Sequence, residues 1–433
     1  MSFENNSEDF ALREVLFLAL TACVGGAALF TVDFILVLQL QSSGFGGAAV
    51  ALLITCGTVP VVALTPIAGR IADRFDSRWI MSLSGLAQSV FILAMTQTNG
   101  YVAHLVLLSL CACGTAVMAP TVSALVPRMA SGRKLPIAIS FVQTGNLLGM
   151  VIGPAAAGFL VAAYDTDVAL TIVAAAALGR ALFSLTIRTR RGGAANLVTD
   201  DAATESRTWT LRSDRLILTT VIGLGGCLMV LSAANVLEVF LVREVYGAGE
   251  ATYGIINSSW TFGMTIGALI VGWTISRFTR DMTLSWSVMF SVGAMCAIIL
   301  VIAQPLPSVN LIIPLYFLGG IMNAGINAGV QTIVARRVPE AHRGRAGARI
   351  NGTVQGASLV GFGFGALLST MFSVETALMI AAGGGLAVAI GCVPCINRTA
   401  RTSPEPAVDG ETDTVPAEKE TTETEKEPPL AKA

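Results

Sequence analysis

Charge is scarce in this chain, and its scarcity removes most ordinary classes of protein at once. Asp, Glu, Lys and Arg make up 13% of the 433 residues against 54% hydrophobic, and the mean hydropathy is +0.71. A soluble domain carries about twice that share of charge, so this composition belongs to a lipid environment. Histidine occurs only as His104 and His342. In the topology below they lie on opposite membrane faces and cannot form a joint metal or acid–base site. No glycine-rich phosphate cradle of the P-loop type occurs, and nothing in the chain supports nucleic-acid binding. Cysteine is present but dispersed: Cys23, Cys56, Cys111, Cys113, Cys227 and Cys296 lie in apolar runs, where the thiol behaves as a small hydrophobe. Cys392 and Cys395 have a C-x-x-C spacing but enclose Pro394 and have no second Cys or His pair, so neither a disulfide nor a metal site is expected. With no catalytic constellation either, no enzyme and no cofactor is expected.

What the chain does have is apolar length. A membrane-spanning helix needs roughly 20 largely apolar residues, because lipid offers no partner to an unpaired backbone N–H or C=O. Twelve such runs occur, at 14–38, 45–68, 79–96, 101–125, 137–163, 166–187, 216–241, 250–275, 283–303, 308–333, 347–371 and 374–397. The expected fold class is an all-α membrane protein of twelve transmembrane helices in two six-helix bundles. Residues 1–13 precede the first bundle (14–187). An Arg-, Gly- and Thr-rich linker (188–215) leads to the second (216–397). The stretch 398–433, with nine acidic residues between Glu405 and Glu427, is expected to be a disordered tail. Asn-Asn-Ser-Glu-Asp before the first run, with no small-residue cleavage pattern, predicts a retained helix.

The 27 Lys and Arg residues orient these spans. Twenty-five fall on the face that carries both termini, leaving Arg180 inside the sixth run and Arg243 on the other side. The positive-inside rule therefore puts both termini in the cytoplasm. The halves also echo one another: Asp33 lies eleven residues before Gly44, and Glu238 eleven before Gly249. The first and seventh helices thus carry an acid at matching depth, as parallel repeats require.

Those two acids are the sharpest individual residues. An intramembrane carboxylate costs about 2.5–3.5 kcal/mol even on insertion scales, so neither Asp33 nor Glu238 should face lipid. One reading places them on a central cavity, binding a proton or a cationic cargo. The other makes them structural, paired with Arg180 or Arg243 or snorkelling to the outer interface. Arg180 is itself expected to snorkel to the headgroups near its end of the sixth helix. Asn323, Asn327 and Gln331 put three amides on one face of helix ten, facing either a wet cavity or interhelical hydrogen bonds. Gln143 and Asn146 could complete a polar wall from helix five, and Trp260 could supply an aromatic face or simply pack.

Two motifs carry a family resemblance. Gly69, Asp73, Arg74 and Arg78, between the second and third runs, form G-x-x-x-D-R followed by Arg, with Asp76 standing where glycine is common. This strongly resembles the signature turn of the major facilitator superfamily. The resemblance implies a cytoplasmic latch in which Asp73 faces the start of helix eleven, whose N-terminal dipole favours an anion by about 0.3–1 kcal/mol. Gly149, Gly153, Pro154 and Gly158 in helix five form G-x-x-x-G-P-x-x-x-G, similar to a pattern associated with exporters in the superfamily. Small residues four apart let helices approach, and the proline bends the helix. The segment 338–347, Val-Pro-Glu-Ala-His-Arg-Gly-Arg-Ala-Gly, is similar to that of bacterial macrolide and multidrug efflux permeases. The run Leu105–Ala119 of helix four has no Arg, where many proton-driven drug exporters keep one. The resemblance implies a transporter in the cell membrane that moves a small amphipathic molecule outward by alternating access, with a proton as coupling ion. The alternatives are a carrier for one metabolite or siderophore and, from another class, a receptor or scaffold signalling through the acidic tail.

Overall fold

The computed structural model describes residues 2–98, 100–130, 134–189, 215–275, 281–338 and 340–402. Among them are twelve long helices and no strand: α1 (Ser2–Ser42), α2 (Gly47–Arg74), α3 (Ser77–Met95), α4 (Tyr101–Met129), α5 (Leu135–Ala163), α6 (Thr166–Ser184), α7 (Arg215–Phe240), α8 (Glu250–Ile275), α9 (Asp281–Ile302), α10 (Ile312–Arg337), α11 (Glu340–Met371) and α12 (Val374–Thr402). All twelve contain a stretch long and apolar enough to cross a membrane. Large side chains such as Trp79, Leu83, Val102, Leu269 and Phe290 point outward, which in a bilayer means toward acyl chains rather than water.

Several helices overrun the apolar runs expected from sequence. The first begins at Ser2 rather than 14, and the last continues to Thr402, into the stretch expected to be a disordered tail. Lipid limits only the apolar part of a helix, while backbone hydrogen bonding carries on into polar turns. The cationic turn is likewise mostly helix: Gly69–Arg74 complete α2, and only Phe75 and Asp76 break the chain. Asp76 N-caps α3, its carboxylate accepting from the Arg78 amide at 2.9 Å, which explains an acid where the family commonly has glycine. Most of the linker (190–214) and the tail beyond Thr402 lie outside the described residues.

Each half repeats the same pairings, α1 with α5 as α7 with α11, α2 with α4 as α8 with α10, and α3 with α6 as α9 with α12. Glycine makes the closest of them. A methyl group at Gly149 would overlap the Cys23 carbonyl oxygen of α1, and one at Gly361 would overlap that of Met229 on α7.

The halves meet unequally along the membrane normal. At the end opposite the termini they share one apolar core that joins Val32, Leu36 and Leu53 to Val236, Leu237 and Ile256. At the terminal end each half closes a core of its own, around Leu18, Met81 and Leu125 in one and Val221, Leu284 and Ile333 in the other. The molecule is therefore shut at the far end and open at the end bearing its termini.

Candidate functional site

The space between the halves is a cavity of about 470 Å³, within the range of small-molecule sites. Its first-half wall is apolar except for Asp33 and Thr58, with Phe30, Phe34, Met150 and Pro154. The second half supplies most of the polar groups: Ser232, Asn235 and Glu238 from α7, Tyr253, Asn257 and Thr261 from α8, and Tyr316 and Asn323 from α10. No Lys, Arg or His is among the lining residues.

The two acids have unlike surroundings. The Glu238 carboxylate is buried and accepts from the Asn257 side-chain amide and the Tyr316 hydroxyl. Asn257 also donates to the Tyr253 carbonyl at 3.3 Å, which fixes its amide one helical turn from that backbone. Asp33 has no hydrogen bond or ion pair among the described residues; its Oδ1 would lie 3.8 Å from a methyl at Gly57 on α2. Aromatic rings frame the site. Trp260 meets Tyr316 edge-on at 5.8 Å between centroids, and Phe34 reaches across the halves to Tyr253 at 5.6 Å.

The structural alternatives raised for the acids do not match these contacts. Arg243 pairs with Glu250 at 2.6 Å. Arg180 does not snorkel: it is 5% exposed and donates to the Gln88 side-chain oxygen, on the side of α6 that faces α3 and α1. A guanidinium enclosed by three helices has no path to the headgroups, whatever its height in the bilayer.

Other expected residues fall in two groups. Asn323 and Trp260 line the cavity. Gln143, Asn146, Asn327 and Gln331 are exposed and do not. They continue the faces of Met150 and Asn323 toward the open end, where Asn327 donates to the Asn323 side chain at 2.8 Å. Gly149 and Gly153 pack on α1, whereas Gly158 and Pro154 touch the start of α8, where a methyl at Gly158 would meet the Glu250 carbonyl oxygen at 2.5 Å. Gly69 stands open, Arg74 ends α2 and Arg78 lies in the first turn of α3. The Asp73 side chain and those of residues 341–349 lie outside the described residues, so the latch to helix eleven has no described contact. Sequence reading passed over Asn235, Tyr253, Asn257 and Tyr316. A signal was there: Ser232, Asn235 and Glu238 recur at i, i+3 and i+6, and Tyr253, Asn257 and Thr261 at i, i+4 and i+8.

The sequence profile of the Major Facilitator Superfamily matches residues 18–240 and 222–429. A curated relative, the uncharacterized MFS-type transporter YfiS of Bacillus subtilis (strain 168), is 24% identical over 363 residues, covering 80% of this chain and 84% of that protein. Solved structures share the fold at low identity. A point mutant of the nucleoside transporter NupG superposes with a TM-score of 0.69 at 15% identity, over 89% of this chain and 99% of its own. A point mutant of the peptide transporter POT gives 0.73 at 15%, over 90% and 96%.

Proposed function

Because the chain belongs to the Major Facilitator Superfamily, we propose that this transporter exports small amphipathic compounds by alternating access in exchange for protons. The observation that carries the reading is the cavity lining: two carboxyls, Asp33 and Glu238, from equivalent helices of the two halves, with no basic residue beside them. A carboxylate removed from water calls for compensating charge, and here that charge comes from outside the protein, as a proton or as the cationic group of a cargo. Trp260, Tyr316, Tyr253 and Phe34 offer ring faces to such a cation and to an apolar body. An anionic cargo would meet two acids and no counter-charge.

In the state described, the site is reached from the end that carries the termini, which the positive-inside rule assigns to the cytoplasm. Cargo enters there and seats against Glu238. The halves then rock so that the far end opens, and a proton taken from the outer side displaces the cargo. The exporter-like glycine and proline pattern of α5 supports this direction, with Pro154 on the cavity wall and Gly158 at the α8 contact. The G-x-x-x-D-R turn would latch the cytoplasmic side once the molecule faces outward.

Energised cells loaded with a fluorescent amphipathic cation provide the test, comparing wild type with Asp33→Asn and Glu238→Gln before and after collapse of the proton gradient. The reading expects low accumulation in wild type that rises when the gradient is collapsed or either carboxyl is replaced. Equal accumulation throughout would refute it and favour a narrow metabolite carrier. Asn235, Asn257 and Asn323, gathered on the second-half wall, support that second reading, because a specific polar cargo needs such fixed partners.

A further inference from the structure

The far end of the cavity is shut by a polar clamp as well as by apolar packing. α7 ends in a π-helical turn, Leu241–Val245, that carries Arg243 and Glu244. Arg243 makes three contacts at once. One terminal nitrogen pairs with Glu250 at the start of α8 at 2.6 Å, and the other donates to the Ala248 carbonyl at 2.8 Å. Its Nε donates to the side-chain oxygen of Gln41 at 3.2 Å. Gln41, near the end of α1, returns its amide to the Glu244 carboxylate at 3.2 Å. One side chain of the first half is thus gripped by two adjacent side chains of the second. The Arg243–Glu250 pair is partly sheltered, its side chains 19% and 28% exposed, whereas Glu244 and its contact with Gln41 are open to solvent. Close by, Gly47 of α2 packs on Ser369 of α11.

The turn that bears the clamp begins three residues after Glu238. α7 and α8 are consequently tied twice, through Glu238 and Asn257 in the cavity and through Arg243 and Glu250 at the far end, and the π turn follows the inner tie and carries the outer one. A π turn holds one residue more than the α-helix around it and is commonly found at functional positions. Its resolution to α geometry would rotate Arg243 by roughly 100° about the helix axis, the angle of one residue, and carry it away from Gln41.

We propose that Gln41, Arg243 and Glu244 form the far-side gate of the transport cycle, and that the π turn couples this gate to the occupancy of Glu238. Cargo or a proton on Glu238 competes with Asn257 for the carboxylate and releases the inner of the two ties. The turn then relaxes, Arg243 leaves Gln41, and the far end parts while the terminal end closes. The inference rests on alternating access and not on the identity of the cargo.

Hydrogen exchange on the full-length protein in lipid nanodiscs, without cargo, tests it. Arg243→Gln removes the centre of the clamp; Gln41→Ala removes only the contact between halves and leaves the Arg243–Glu250 pair to preserve the fold. Losing charge-assisted hydrogen bonds should raise the far-open population about tenfold. Exchange should then rise in peptides covering 38–50 and 240–256 and fall in those covering 64–78 and 340–356. Glu238→Gln should move the same peptides in the same directions. Faster exchange at the far end without slowing at the terminal end would reduce the clamp to a local brace and overturn the proposal, as would unchanged exchange in both gate variants. An unchanged pattern in Glu238→Gln would overturn the coupling through the π turn. Since no cargo is present, failed export cannot produce any of these outcomes.

Discussion

Replacing Gln88 with leucine should destabilise the first half far more than its size change suggests, because it strips the acceptor from a buried cation. Arg180 donates to the Gln88 oxygen, its Nε is already buried without a partner, and Gln88 in turn donates to the Cys111 carbonyl at 3.0 Å and the Thr115 hydroxyl at 2.9 Å. Two magnitudes compete. Hydrogen bonds inside membrane proteins average about 0.6 kcal/mol and reach about 1.7, since the unfolded helices also find partners in the bilayer. Breaking a buried charged pair costs about 3–5 kcal/mol in soluble proteins. The charge on the donor and the lack of any carboxylate contact place this case between the two, at about 2–3 kcal/mol. Thermal unfolding of the purified protein in detergent would read it. Arg180→Met in the Gln88→Leu background should recover most of the loss, since the orphaned charge then goes with its partner. A Gln88→Leu protein within about 0.5 kcal/mol of wild type, or a double variant no better than the single, would refute this account of Arg180.

Two further perturbations follow from contacts of the same kind. A methyl at Gly320 would overlap the Trp260 carbonyl oxygen, so Gly320→Ala should force α8 from α10, lower stability by about 1–3 kcal/mol and weaken cargo binding by displacing the Trp260 ring, read by thermal unfolding and by ligand titration. Glu14, buried on α1, accepts from the Arg188 and Thr189 amides at 3.1 Å each. Glu14→Ala should therefore cost about 2 kcal/mol and speed hydrogen exchange over residues 185–190, with little change elsewhere.

Much of the architecture was legible in one dimension. Apolar run length, the near-absence of Lys and Arg from alternate loops and the six-plus-six spacing respond to a slab of lipid, whose demands depend on sequence order alone. The acids at Asp33 and Glu238 were legible for the same reason, since a carboxylate within an apolar run stands out wherever the helix later turns. Glycine spacing in α5 announced a close helix approach but not its partner: Gly149 and Gly153 meet α1, while Gly158 meets α8.

What the tertiary structure decided was facing. The amide stripe of α10 reads as one surface, yet only Asn323 reaches the cavity and Asn327 and Gln331 lie beyond it toward the open end. Tyr253, Asn257 and Tyr316 converge on Glu238 from two other helices, and Arg180 turns inward to Gln88 rather than outward to the headgroups. Composition and periodicity establish that a segment is a membrane helix and that its polar side must be sheltered. Which neighbour shelters it depends on the rotation and tilt at which twelve helices pack against one another, a balance of contacts between residues hundreds of positions apart.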